Sequence, residues 1–272
     1  MLQAPAPSEE LTTGNTRPEE FSSPRGESES GFRRDLSILR EHQKSSRGAP
    51  LYSLYINRPL GRVFAALANT LGMNPNQVSI LSALFSLTGI VGIATLEPSP
   101  TASVLIAVAL VLGYAIDSAD GQLARLQFGG SVAGEWLDHS LDAFKIAAFH
   151  ASLIVSILQF QQAHTLQAVL LVAAFEVVAV TGFFTYLLTE LLRRSQGEQT
   201  RATLSPTGWK RVATLPTDWG VLCLWTACRF SPAVFFGGYA VMFAVSAAYL
   251  AATSLVRFRE FSALDQLRRA SS

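Results

Sequence analysis

Charge is scarce in this chain. Only 15% of its 272 residues are charged, with 21 Lys and Arg against 20 Asp and Glu, where a soluble domain carries about a quarter. With 49% hydrophobic residues and a mean hydropathy of +0.30, that shortage argues against an ordinary water-soluble domain. Cysteine is scarcer still. Cys223 and Cys228 are the two present. Five residues apart on a helix they fall on different faces, so neither a disulfide nor a metal pair is indicated, and both read as small apolar core residues. There is no His/Cys cluster to hold a soft metal. Residues 1–30 have no apolar run, so no cleavable secretory leader is expected. Their Pro, Ser, Glu and Gly content reads as disorder. A net charge of +1 gives no argument for a nucleic-acid partner.

What the chain does have is long apolar runs, such as TASVLIAVALVLGYAI at 101–116 and AFKIAAFHASLIVSIL at 143–158. A helix crosses a bilayer in about 20 residues. Six spans are expected near 77–96, 101–120, 138–158, 165–190, 215–230 and 232–256, making an all-α polytopic membrane protein. Ahead of them, Leu60, Val63, Phe64, Leu67 and Leu71 recur at helical spacing beside Arg58 and Arg62. That pattern predicts an amphipathic helix over 50–73 lying in the membrane interface, where Tyr52 and Tyr55 also fit. A short basic helix within 33–47 is expected before it. The organisation is therefore a basic N-terminal segment (1–49), the interfacial helix (50–73), a six-span transmembrane domain (74–260) and a tail (261–272).

Basic residues collect on the cytoplasmic side of a membrane. Arg25, Arg33, Arg34, Arg40, Lys44, Arg47, Arg58 and Arg62 precede the first span. Arg125, the run Arg193, Arg194, Arg201, Lys210 and Arg211, and finally Arg257, Arg259, Arg268 and Arg269 occupy alternate connections and the tail. The remaining connections hold only Arg229. Both termini are expected in the cytoplasm, in an inner (cell) membrane. Trp209 and Trp219 suit the interfacial belt.

One stretch contradicts its surroundings: DSADGQLARLQFGGSVAGEWLDHSLD, from Asp117 to Asp142, lies between two apolar spans. Asp117, Asp120, Glu135, Asp138 and Asp142 face only Arg125 and Lys145 as local cations. Aspartate in a membrane helix is costly, so the cluster calls for a bound counter-charge. Asp117 and Asp120 are three apart, and Gly134, Asp138 and Asp142 follow at intervals of four, so each set lines one face of its helix. Gly121 and Gly129-Gly130 let the chain turn back between them, and two antiparallel helices then bring four carboxylates together. Hard oxygen ligands favour Mg²⁺, Mn²⁺ or Ca²⁺ over zinc, and a two-metal site, with Mg²⁺ or Mn²⁺ expected, suits displacement at phosphorus. Arg125 is placed to hold a phosphate, and Gly121 and Gly134 leave room for a substrate. A divalent-cation transporter is the alternative outside enzymes, but it has no need of the glycines and arginine.

At every signature position, Asp117-x-x-Asp120-Gly121-x-x-Ala124-Arg125, Gly134, Asp138 and Asp142, the stretch resembles the motif of the CDP-alcohol phosphatidyltransferases. These include the bacterial phosphatidylglycerophosphate and phosphatidylinositol-phosphate synthases. The resemblance extends to the interfacial helix and to Asn74-Pro75-Asn76-Gln77-Val78-Ser79 at the opening of the first span. It implies transfer of a substituted phosphate from a CDP-linked alcohol to a second alcohol, with release of CMP. It also implies Asp117, Asp120, Asp138 and Asp142 as ligands of two divalent ions, with Asp142 as base on the acceptor hydroxyl. Asn76, Gly121, Ala124, Arg125 and Gly134 would meet the nucleotide and pyrophosphate.

CDP-diacylglycerol is the expected donor because the site opens to lipid. A soluble CDP-alcohol with a lipid or polyol-phosphate acceptor is the alternative. Several family members that use an inositol phosphate carry arginine directly after the last aspartate. Here Ala143 stands there, which argues against that acceptor and leaves glycerol 3-phosphate open. Lys145 is the candidate acceptor contact, or else an ion-pair partner of Asp142. Deeper in the spans, His150 and Glu176 are expected to pair with each other or to sit in a homodimer contact.

Overall fold

The computed structural model describes residues 31–41, 51–127, 129–160, 165–195 and 215–271. Expectations for residues 1–30 and for Lys44, Arg47, Arg201, Trp209, Lys210 and Arg211 lie outside the described residues. All described secondary structure is helical: α1 (Gly31–Glu41), a π turn (Ser53–Asn57), α2 (Arg58–Thr70), α3 (Pro75–Thr95), α4 (Pro100–Gln127), α5 (Val132–Phe160), α6 (Thr165–Ser195), α7 (Trp219–Trp225) and α8 (Pro232–Ser271).

Helices α3, α4, α5, α6 and α8 are long and apolar enough to cross a membrane, so the protein is a multi-pass membrane protein. The expected span at 215–230 takes a different form. A 3-10 turn (Leu215–Thr217) is followed by α7 and a second 3-10 turn (Thr226–Cys228). The apolar helical stretch, Trp219–Cys228, is about 15 Å long, half of a ~30 Å hydrocarbon core. At one end the Asp218 side chain caps α7 through Gly220 N at 3.0 Å. There Gly220 lies so close to Tyr52 that a Cβ would stand 2.1 Å from the ring. At the other end Arg229 reaches the end of α3.

That arginine explains its own position. It is 2% exposed. Its guanidinium donates to Ile93 O (2.6 Å), Leu96 O (2.7 Å) and Ser156 Oγ (2.9 Å), so it satisfies carbonyls that the C-terminus of α3 leaves open. Arg229 is a helix cap, and its place in an otherwise uncharged connection follows from that bond rather than from topology.

The capping box at the start of α3 is written in its sequence. Asn74 Oδ1 accepts from Gln77 N, and Gln77 Oε1 accepts from Asn74 N, both at 2.9 Å, with Pro75 in the first turn. Helices α3 and α4 then pack closely through small residues. A Cβ on Gly113 would lie 2.3 Å from Ser86 Oγ, the small-residue contact by which membrane helices approach. An apolar core of Ile93, Leu110, Phe149, Leu153, Phe235 and Tyr239 fills the end of the bundle away from Asp117–Asp142. A smaller cluster seats α1 and α2 on α4 at the aspartate end through Leu39, Ala65, Ala68 and Leu123, and Asn69 Nδ2 donates to Asp35 Oδ2 at 2.7 Å. On the opposite side of α2, Leu60, Val63 and Leu67 are exposed.

The long helices overrun the apolar segments at this end. Helix α4 continues through Asp117, Asp120 and Gly121 to Gln127, and α5 already begins at Val132. Gly121 is therefore inside a helix, and the reversal falls at Gly129, whose φ of 96° is open to glycine at no cost. The tail expected from residue 261 is a continuation of α8. Arg194 pairs with Glu135 at 2.5 Å and Arg193 with Glu260 at 2.7 Å. These pairs bring the end of α6, the start of α5 and the late part of α8 to one face, together with the start of α3.

Candidate active site

The four aspartates converge as their spacing predicts. Asp117 and Asp120 stand on one face of α4, and Asp138 and Asp142 face them from α5. Oxygens of Asp117, Asp120 and Asp138 lie within 4.8 Å of one another. A second group within the same limit joins Asp138 and Asp142 to His139, a residue outside the four-aspartate motif.

Two serines on α3 orient the α4 pair. Ser79 Oγ donates to Asp120 Oδ2 at 2.5 Å, and Ser82 Oγ lies 3.1 Å from Asp117 Oδ1 and 2.9 Å from Gly113 O. Gly121 N donates to the other oxygen of Asp120. Neither serine was legible as a site residue. Ser79 follows Asn76 by three and Ser82 follows Ser79 by three, so the clue was a polar stripe along one face of an apolar span.

Lys145 is the ammonium in direct contact with this cluster. It is 6% exposed and held between Asp117 Oδ1 (2.5 Å) and Asp142 Oδ1 (2.8 Å). The geometry favours the ion-pair role over the acceptor contact expected as its alternative. The Lys145 ammonium offsets part of the charge of the four carboxylates, and charge in a low-dielectric setting is expensive unless it is neutralised. Oxygen donors from two helices at these separations fit hard divalent cations.

The aspartates adjoin a cavity of about 1560 Å³. Asn76, Ser79, Asp120, Gly121, Ala124, Arg125, Gly134 and Asp138 line one side. A Cβ on Gly121 would meet nothing nearer than Arg125 at 3.8 Å, whereas one on Gly134 would crowd Asn76 Oδ1 at 3.1 Å. The first glycine leaves open floor, and the second lets α5 approach the start of α3. Phe175, Phe183 and Leu250, from α6 and α8, form an apolar wall on the other side, with Arg194 and Arg257 also in the lining.

Two expectations change here. His150 does not pair with Glu176: its Nδ1 lies 2.5 Å from the Tyr239 hydroxyl, because α8 rather than the polar side of α6 supplies the nearest partner. Trp219 packs edge-on against Phe149 with centroids 5.3 Å apart and lines the cavity, so it serves the bundle interior instead of the interfacial belt.

Bundle and site together define a multi-pass membrane enzyme whose clustered carboxylates are built for divalent metal and phosphorylated substrate. Residues 72–250 match the profile of the CDP-alcohol phosphatidyltransferases, and the chain belongs to that family. No protein of curated function matches the chain. In fold it is similar to the phosphatidylinositol phosphate synthase of Mycobacterium tuberculosis in complex with manganese and citrate. The TM-score is 0.53 and the identity 19%, over 75% of this chain and 89% of that one. The same synthase with CDP-DAG bound gives a TM-score of 0.49 at 19% identity, over 72% and 90%.

Proposed function

We propose that the protein transfers a phosphatidyl group from CDP-diacylglycerol to the hydroxyl of a polar alcohol, releasing CMP, as a step of phospholipid biosynthesis. The observation that carries this reading is the cavity itself, which joins the aspartate cluster to the apolar wall of Phe175, Phe183 and Leu250. A donor with a charged pyrophosphate and a lipid body needs both surfaces at once.

Asp117, Asp120, Asp138 and Asp142 are assigned as metal ligands for Mg²⁺ or Mn²⁺, and manganese accompanies the similar synthase. When bound, such ions polarise a pyrophosphate and stabilise the charge that develops on the leaving oxygen. The chain's own residues do the rest. Asn76, Gly121, Ala124, Arg125 and Gly134 frame the nucleotide and pyrophosphate, with the Arg125 guanidinium as a phosphate clamp. Asp142 takes the proton of the acceptor hydroxyl, and Lys145 holds Asp142 and Asp117 in register. Ser79 fixes the rotamer of Asp120. The apolar wall keeps water from competing with the acceptor.

The site face is assigned to the cytoplasm of an inner membrane, since Arg33, Arg34, Arg40, Arg58, Arg62, Arg193 and Arg194 gather there. Residues 74–260 form the catalytic unit behind the interfacial helix of 50–73.

The test is to supply purified protein with CDP-diacylglycerol and a panel of acceptor alcohols, glycerol 3-phosphate among them, and to identify the lipid product by mass. Metal-dependent CMP release with one acceptor is expected. CMP release from a soluble CDP-alcohol but none from CDP-diacylglycerol would overturn the donor assignment.

A further inference from the structure

On α5, His150 follows Asp138, Asp142 and Ile146 at intervals of four, so it shares their stripe. It sits about 12 Å further along the axis than Asp142. The residue is fully buried at 0% exposure, flanked by Phe149 and Phe175 with ring centroids 5.3 and 5.1 Å away. It also lines the deep end of the cavity with Trp219 and Leu222. Its Nδ1 is engaged by the Tyr239 hydroxyl, but Nε2 is buried with no hydrogen-bond partner among the described residues.

An orphaned polar atom in aromatic surroundings is costly, and a structural filler there would be better served by phenylalanine. The proton can be placed by counting orphans. If Nδ1–H donated to Tyr239, both the tyrosine O–H and the Nε2 lone pair would go unmet. If Tyr239 donates to Nδ1, the N–H at Nε2 is the single group left over. His150 therefore holds a buried, unpartnered donor beside the deep end of the cavity. Helical side chains lean toward the N-terminus of their helix, which tilts this ring toward Asp142.

With the nucleotide framed by Asn76 and Gly134 and the pyrophosphate against Asp120 and Asp138, as proposed above, the glycerol of a lipid donor would continue toward His150. The first polar groups it offers beyond the phosphate are the ester carbonyls, which accept hydrogen bonds and donate none. We propose that His150 Nε2–H binds an ester carbonyl of the lipid donor and makes the site discriminate ester-linked from ether-linked CDP-lipids. This rests on the reading that the donor is CDP-diacylglycerol.

The test compares CDP-diacylglycerol with a CDP-dialkylglycerol of equal chain length, by kcat/KM for CMP release within one preparation, so the ratio is independent of the fraction of active protein. The expected preference of the parent protein for the ester is about tenfold, the order one buried hydrogen bond supports. In His150→Asn the amide stands where Nδ1 stands, which keeps the Tyr239 bond and loses the deep donor, so the ratio should fall to near one. In His150→Gln the amide nitrogen stands where Nε2 stands, and the preference should persist. A parent ratio near one overturns the proposal, even if the variants fail to fold. So does an unchanged ratio in His150→Asn, or a rise in the acceptor KM with the ratio intact, which would place Nε2 on the acceptor. Failure of the ester donor to yield CMP with any acceptor would instead overturn the donor reading beneath it.

Discussion

Replacing Lys145 with methionine separates two roles that the sequence left open. The side chain keeps its length and loses its charge. In the parent, Nζ lies 2.5 Å from Asp117 and 2.8 Å from Asp142 and is buried. A hydrogen bond between charged groups contributes about 1.5–3 kcal/mol. Losing the one that holds Asp142 over the acceptor hydroxyl should raise the barrier by that amount and lower kcat about 10- to 150-fold. The acceptor KM should move by less than about twofold, because removing an interaction made in the transition state lowers kcat and not ground-state binding. The assay is CMP release at saturating donor with acceptor varied, on protein shown to be monodisperse in detergent. A raised acceptor KM with kcat intact would refute the reasoning and return Lys145 to the acceptor. Two unchanged parameters would remove it from the site altogether.

Chelation should abolish turnover, with Mg²⁺ or Mn²⁺ restoring it and zinc substituting poorly, because the assigned ligands are mainly hard oxygens; CMP release in excess chelator would contradict this. Arg229→Met should lower stability by about 1.5–3 kcal/mol, the worth of one charged hydrogen bond once relief from burying the guanidinium is allowed for. An unchanged thermal midpoint in detergent would show that the α3 carbonyls need no cap. Single cysteines at positions 8 and 271, with Cys223 and Cys228 replaced by alanine, should both resist an impermeant thiol reagent in intact cells. Labelling of only one would put the termini on opposite sides.

Much of the fold and of the site was legible because it depends on local spacing. The four aspartates recur at helical intervals, so their convergence follows once the two helices run antiparallel. Asn74-Pro75-Asn76-Gln77 spells a helix start in its own side chains. The sequence also marked Gly129, where the chain does reverse, but not that α4 runs unbroken past Gly121, because one glycine inside an otherwise helical pattern costs only about 1 kcal/mol.

What stayed hidden depends on neighbours distant in sequence. Nothing local gives Ser79 and Ser82 a role at the site, and only the approach of α4 makes them supports for carboxylates. Arg229 looked like a breach of the charge pattern until the end of α3 arrived to accept its bonds. His150 was matched with Glu176 on polarity alone, whereas packing gave it Tyr239. The segment at 215–230 has the composition of a span, but Pro216, the Asp218 cap and Ser231-Pro232 confine its helix to half the thickness.

The central claim is that the α4 and α5 carboxylates hold the metal on which transfer depends. Its most direct measurement is CMP release from CDP-diacylglycerol by Asp120→Asn protein that inserts and purifies like the parent. Asp120 is the member of the cluster that both lines the cavity and is fixed by Ser79, and a neutral amide is a poorer ligand for a hard cation. The account predicts loss of at least about a thousandfold in turnover, the order that removing several kcal/mol of transition-state charge stabilisation entails. Near-parental CMP release from well-folded Asp120→Asn protein would contradict it.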